Sequence, residues 1–219
     1  MKVVQNLVPA SKYSIKCPYS MIPEFIVVHN TANDSSARNE VAYMISNNNK
    51  VSFHYAIDDK EIVQGIPENR NAWHAGDGNN GTGNRKGIGI EICYSKSGGQ
   101  RFIEAEKLAA KFIALKLKEK GWGIDRVKKH QDFSGKYCPH RTLDMGWQRF
   151  LDMVKSELDK LKGGATVAEK NVPSSWAKEA WEWAKKEGIT DGSRPKDTAT
   201  REEIITMLRN YDQKVVKRK

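Results

Sequence analysis

Residues 128–142, KKHQDFSGKYCPHRT, gather two histidines and a cysteine among four basic side chains. His130 and Cys138 stand eight positions apart. That is too far for adjacent turns of one helix and too irregular for a zinc knuckle. If they hold one metal, a loop brings them together and a third ligand comes from elsewhere. His29 is the candidate for that place. It ends FIVVH, a short apolar run read as a buried strand, where a side chain can leave the sheet edge for a cleft. His29, His130 and Cys138 would make a His2Cys set with one tetrahedral position open, the arrangement of a catalytic zinc. Zinc so held lowers the pKa of water from about 15.7 to about 7 and polarises an amide carbonyl. Spacing alone also admits the plainer reading, in which these are ordinary polar side chains.

The elements that would carry these residues follow from periodicity. After FIVVH, the segment NDSSARNEVAYMISN opens on capping-type residues and sets Val41, Met44 and Ile45 at helical spacing. VSFHYAID and EIVQGI, parted by acidic turn residues, read as a hairpin. GIGIEICY alternates Ile88, Ile90 and Ile92 against Gly89, Glu91 and Cys93, which puts Glu91 opposite the isoleucine face. RFIEAEKLAAKFIALKLKEKG is an amphipathic helix stopped by Gly121, and MGWQRFLDMVKSELDKL is a second one, ending near Leu161.

Small, polar residues 162–173 then read as a linker, so the expected organisation is a domain at 1–161 and a small helical one at 174–219. In the latter, WAKEAWEWAKKEG and TREEIITMLRNY predict two short helices, with Thr200 and Glu203 in capping-box spacing. At least two of Trp176, Trp181 and Trp183 are expected to fill its core.

Composition narrows the partners. Across 219 residues the net charge is +10, shared as +7 over residues 1–162 and +3 over 163–219. No recognition-helix cluster stands out, which disfavours nucleic acid and leaves other polyanions, such as those of a bacterial wall. A mean hydropathy of −0.68 describes a hydrophilic chain. No stretch approaches the ~18 apolar residues of a membrane span, and the N-terminus shows no secretory signal. Three cysteines, Cys17, Cys93 and Cys138, are too few for a disulfide framework. Cys17 and Cys93 read as small buried hydrophobes.

Five segments in order, VVHNTA, VSFHYAID, AWHAG, GIGIEIC and KKHQDFSGKYCPH, resemble the zinc-dependent N-acetylmuramoyl-L-alanine amidases. This is the type-2 amidase family of phage endolysins, whose fold is shared with peptidoglycan recognition proteins. The resemblance spans roughly residues 20–160. It implies an α/β fold with a mixed central β-sheet flanked by helices, and Zn2+ bound by His29, His130 and Cys138. The implied reaction is cleavage of the amide between N-acetylmuramic acid and L-alanine in bacterial peptidoglycan. The same comparison makes Glu91 the carboxylate that moves the proton from water to the leaving nitrogen. It makes Lys136 the ammonium that stabilises the oxyanion. His54, Trp73 and His74 occupy motif positions and are taken as substrate-binding groove residues. Phe53 stands where one branch of the family has a tyrosine, which leaves the acid/base work to Glu91.

The C-terminal segment resembles a single S-layer-homology-type unit, which implies a secondary wall polymer as partner. A lone unit has to bury its tryptophan face, by dimerisation or by docking on the first domain. The combined expectation is an endolysin held in the host cytoplasm until release to the wall. Its rivals are a bacterial autolysin or sporulation amidase, and a noncatalytic peptidoglycan-binding module, against which Cys138 counts.

Overall fold

Six strands form one sheet in this computed structural model, which describes residues 1–163, 172–193, 195, 199 and 201–216. They are β1 (Val3–Gln5), β2 (Phe25–Asn30), β3 (Tyr55–Ile57), β4 (Ile62–Gln64), β5 (Gly87–Ile92) and β6 (Val127–Lys129), in the order β1-β4-β3-β5-β2-β6. Every neighbouring pair is parallel except β3 with β4, the expected hairpin, which is antiparallel with Ile57 opposite Ile62. The central strands β2 and β5 are rich in valine and isoleucine because both of their faces are covered. Helices flank this mixed sheet, as the α/β expectation required.

Seven helices accompany the sheet in the first unit: α1 (Tyr13–Lys16), α2 (Ala37–Ser46), α3 (Thr82–Lys86), α4 (Gly99–Lys120), α5 (Gln131–Ser134), α6 (His140–Asp144) and α7 (Trp147–Leu161). Ser36 caps α2 by accepting from the Asn39 N–H. Gly121 ends α4 in the left-handed conformation at φ 67°. The apolar stripes of α4 and α7 meet in the main core, where Phe102, Ile113, Leu117, Phe150 and Val154 are fully buried with Ile88, Ile90 and Ile92. Cys17 and Cys93 are buried free thiols, as read from the sequence, but Cys93 lies one residue past β5 and packs in the core rather than alternating with Glu91.

The N-terminal segment is fastened to the end of α2. The Lys12 ammonium donates to the carbonyls of Ile45 and Ser46 at 2.6 and 2.9 Å. Lys16, completely buried, donates to Asn47 Oδ1, Asn49 O and Val51 O at 2.9, 2.6 and 3.1 Å. A buried ammonium is tolerable only when its donors are matched in this way.

The chain divides into two compact units, Met1–Lys162 and Gly163–Lys219. The second contains α8 (Lys178–Lys186) and α9 (Arg201–Tyr211). Its tryptophans do not fill a core. Trp176 and Trp183 are 88% and 46% exposed, Trp181 is half-buried, and no described residue between 172 and 216 is buried. Two short helices do not enclose a side chain of that size. The capping residue Thr200 lies outside the described residues. Among the described residues no helix is long and apolar enough to cross a membrane.

Candidate metal centre and active-site cleft

Strand register puts the first two candidate groups side by side. His29 on β2 pairs with Glu91 on β5, so both project from one face near the carboxyl ends of parallel strands. Ile26, Val28 and the three isoleucines of β5 point the other way, into the core. Ligands of open α/β sheets gather at such strand ends. His130 directly follows β6, and its N–H donates to Val28 O at 3.3 Å, which fixes it beside β2. The chain then turns through α5 and Gly135, left-handed at φ 77°, and returns Cys138, whose carbonyl accepts from Gln131 N at 3.0 Å. The irregular spacing of His130 and Cys138 is this one-turn loop.

The three side chains converge. His29 Nδ1 lies 3.0 Å from His130 Nδ1 and 3.9 Å from Cys138 Sγ, and all three ligand atoms fall within 4.8 Å of one another. Tetrahedral zinc with Zn–N of about 2.05 Å and Zn–S of about 2.3 Å would set these separations at roughly 3.3 and 3.6 Å. The donor set fits a zinc-class cation. All three residues are buried. Burial, together with the neighbouring His74, His130 and Lys136, holds His29 well below the usual imidazole range, so it presents a lone pair. In the metal-free protein burial and the charge of Glu91 push the Cys138 thiol up to about 11. A bound cation reverses that balance and draws the thiolate.

Glu91 is the unusual carboxylate of the cleft. Its Oε2 is shut off from solvent and has no hydrogen-bond partner. Burial first, and the charge of Glu40 second, push its pKa up to about 8 against the opposing Lys136. A group ionising near neutrality beside a metal site is suited to proton transfer. The exposed Lys136 lines the same cleft of about 820 Å³, and its charge reaches His29, His130, Cys138 and Glu91.

Residues 19–141 match the family model described as N-acetylmuramoyl-L-alanine amidase. The chain belongs to this amidase family. It is 59% identical over 184 residues to the N-acetylmuramoyl-L-alanine amidase CwlA of Bacillus subtilis, covering 81% of this chain and 68% of that one. It is 58% identical over 178 residues to XlyB of the same organism, covering 81% of this chain and 55% of the relative. The solved structure of PlyL is similar with a TM-score of 0.70 at 54% identity, over 72% of this chain and 99% of that one.

Within the amidase cleft the remaining motif residues separate. His74 lines it, with Nδ1 3.0 Å from His29 Nε2. Trp73 also lines it but is 6% exposed, donates its Nε1–H to Ile15 O at 2.9 Å, and carries the Lys50 ammonium 4.4 Å above its ring. What Trp73 presents to the opening is therefore Lys50, whose Nζ also reaches Asn79 Oδ1 at 2.5 Å. His54 does not belong to the groove. It is fully buried, accepts from Gly89 N–H at 2.9 Å and faces Arg70 O at 2.9 Å through Nε2, so both nitrogens are taken by backbone. His140 Nε2 faces Ser95 O at 3.3 Å, a structural contact. Sequence reading missed Asn84, a buried amide whose Oδ1 accepts from both His74 N and Ala75 N at 2.8 Å. It also missed Glu40 and Lys50 as amidase cleft residues, because only tertiary contacts bring α2 and its following loop to the opening.

Proposed function

We propose that this chain is a zinc-dependent peptidoglycan amidase that hydrolyses the bond between N-acetylmuramic acid and the L-alanine of the stem peptide. The observation that carries the reading is the convergence of two imidazole nitrogens and a thiol beside a carboxylate oxygen that has no partner. His29, His130 and Cys138 would hold the zinc, which supplies acidified water and a polarised carbonyl when bound. Glu91 takes the proton of the attacking water and delivers it to the leaving nitrogen, a task for which a carboxyl ionising near pH 8 is suited. Lys136, exposed at the cleft, places its ammonium against the carbonyl oxygen as charge develops there. The cleft volume of about 820 Å³ accommodates a sugar with a short peptide.

The C-terminal unit is proposed to hold the enzyme on a secondary wall polymer of a Gram-positive host, alone or as a dimer. Its exposed Trp176 and Trp183 support that reading, since large apolar surfaces mark interaction sites. An endolysin, made in the host and released to the wall, is the biological role we favour over an autolysin. The test is incubation of the full chain with Gram-positive walls, with and without chelator. New N-terminal L-alanine, lost on chelation and restored by zinc, is the expected result. Bound protein with intact walls would leave only a recognition module.

A further inference from the structure

Each histidine at the centre has a nitrogen whose hydrogen is assigned by what it faces. His74 Nε2 lies 3.2 Å from the carbonyl of Gly87, which only accepts, so Nε2 carries the hydrogen. A neutral imidazole has one such hydrogen, and His74 Nδ1 is consequently an acceptor. His29 Nε2, 3.0 Å from it, must donate. That leaves the lone pair of His29 on Nδ1, facing His130 Nδ1 at 3.0 Å. His130 faces the Ala75 backbone as well, with its Nε2 on the side of Gly76; a hydrogen held there would leave its Nδ1 with a lone pair. Two lone pairs facing each other at that distance would repel unless a cation lay between them. The reverse assignment fails, since it would aim an unprotonated His74 Nε2 at the Gly87 carbonyl.

We infer that His74 is a positioning residue for the metal centre: its Nδ1 accepts the Nε2 hydrogen of His29, fixing the ring plane and leaving Nδ1 as the nitrogen that binds the cation. The inference rests on the zinc reading above. Two further features support it. Gly89 on β5 is required beneath the His74 ring, because a Cβ there would lie 2.7 Å from its Cγ and Cδ2. The segment carrying both His74 and the Ala75 carbonyl is clamped by Asn84, through its two bonds to His74 N and Ala75 N and a third from Nδ2 to Gly78 O at 3.0 Å. The tethered segment thus fixes the partner of His29, and its Ala75 backbone faces His130. Partners of this kind, one bond behind a ligand, hold its orientation in metal sites generally.

Side-chain geometry offers a separable test. In His74→Asn the amide oxygen falls near the place of Nδ1 and keeps an acceptor for His29. In His74→Gln the amide reaches the place of Nε2 and keeps the Gly87 contact, but presents no acceptor at the δ position. Zinc affinity of the full chain is measured by competition with a chromophoric chelator, coordination by the visible spectrum of the Co2+-loaded protein, and folding by circular dichroism of each metal-free variant. The Gln and Ala variants are expected to bind zinc about 10–100-fold more weakly with an altered Co2+ spectrum, and the Asn variant to stay within about threefold with the wild-type spectrum. Equal affinity in all variants overturns the inference. So does an Asn variant as weak as the Ala variant, which would assign the effect to ring volume. A wild-type chain that takes up no zinc overturns the metal reading itself, a distinct failure.

Discussion

Replacing Glu91 by glutamine should make the metal-free protein more stable while removing its activity. The carboxyl stands at about 8 against an ordinary 4.5, with burial as the main cause. A raised folded-state value means that the fold holds the proton more tightly than the unfolded chain does. Ionised Glu91 therefore weakens the fold as pH rises above 4.5, and the penalty is complete above about 8. At ~1.4 kcal/mol per pH unit the full gap corresponds to ~5 kcal/mol. The side chain keeps part of its surface open to the cleft, and solvent screening brings this to roughly 2–3 kcal/mol. For a unit of this size that is a rise in Tm of roughly 4–12 °C at pH 9, shrinking to a small difference near pH 5. Thermal melts of chelated wild-type and Glu91→Gln protein at both pH values measure it. Zinc should narrow the gap, because a cation beside Glu91 favours the charged form. A difference that is constant from pH 5 to 9, or a glutamine variant that melts lower at pH 9, refutes the reasoning.

Three other outcomes are expected. Cys138→Ser should abolish stoichiometric zinc uptake, read by metal analysis after dialysis, and with it wall hydrolysis. Lys136→Met should lower kcat by about 10²-fold while leaving zinc affinity unchanged, because the proposed role of the ammonium is on the developing oxyanion and not on the metal; an equal fall in affinity would contradict that role. Phe150→Ala, at a fully buried position between α7 and the main core, should cost about 3–5 kcal/mol in denaturant unfolding.

Much of the frame was readable from local pattern. FIVVH, GIGIEIC and the two long amphipathic segments carry their periodicity in consecutive residues, and they became β2, β5, α4 and α7. His29, His130 and Cys138 were found because their residue types carry chemistry, and Glu91 through the family resemblance; parallel strand pairing sets His29, Glu91 and His130 side by side, and the α5 loop returns Cys138. What stayed hidden depends on partners distant in sequence. His54 and His74 look alike on paper, yet one is spent on the backbone of Gly89 and Arg70 and the other backs His29 from 45 positions away. The short strands β1 and β6 have only three residues each, too few for a period, and exist through pairing with β4 and β2. Trp73 reads as a platform until Lys50 is seen over its ring.

The ammonium groups of Lys12 and Lys16 give the groove a foundation outside the sheet. The loop they fasten supplies Asn47, Asn49, Lys50 and Val51 to the opening, and both lysines hold its backbone carbonyls. The first sixteen residues therefore serve as a retaining bracket. Trimming past Lys16 removes these contacts and is expected to loosen the wall while every candidate metal ligand stays in place. The minimal unit that keeps this wall in place is therefore expected to begin before Lys12, well ahead of His29.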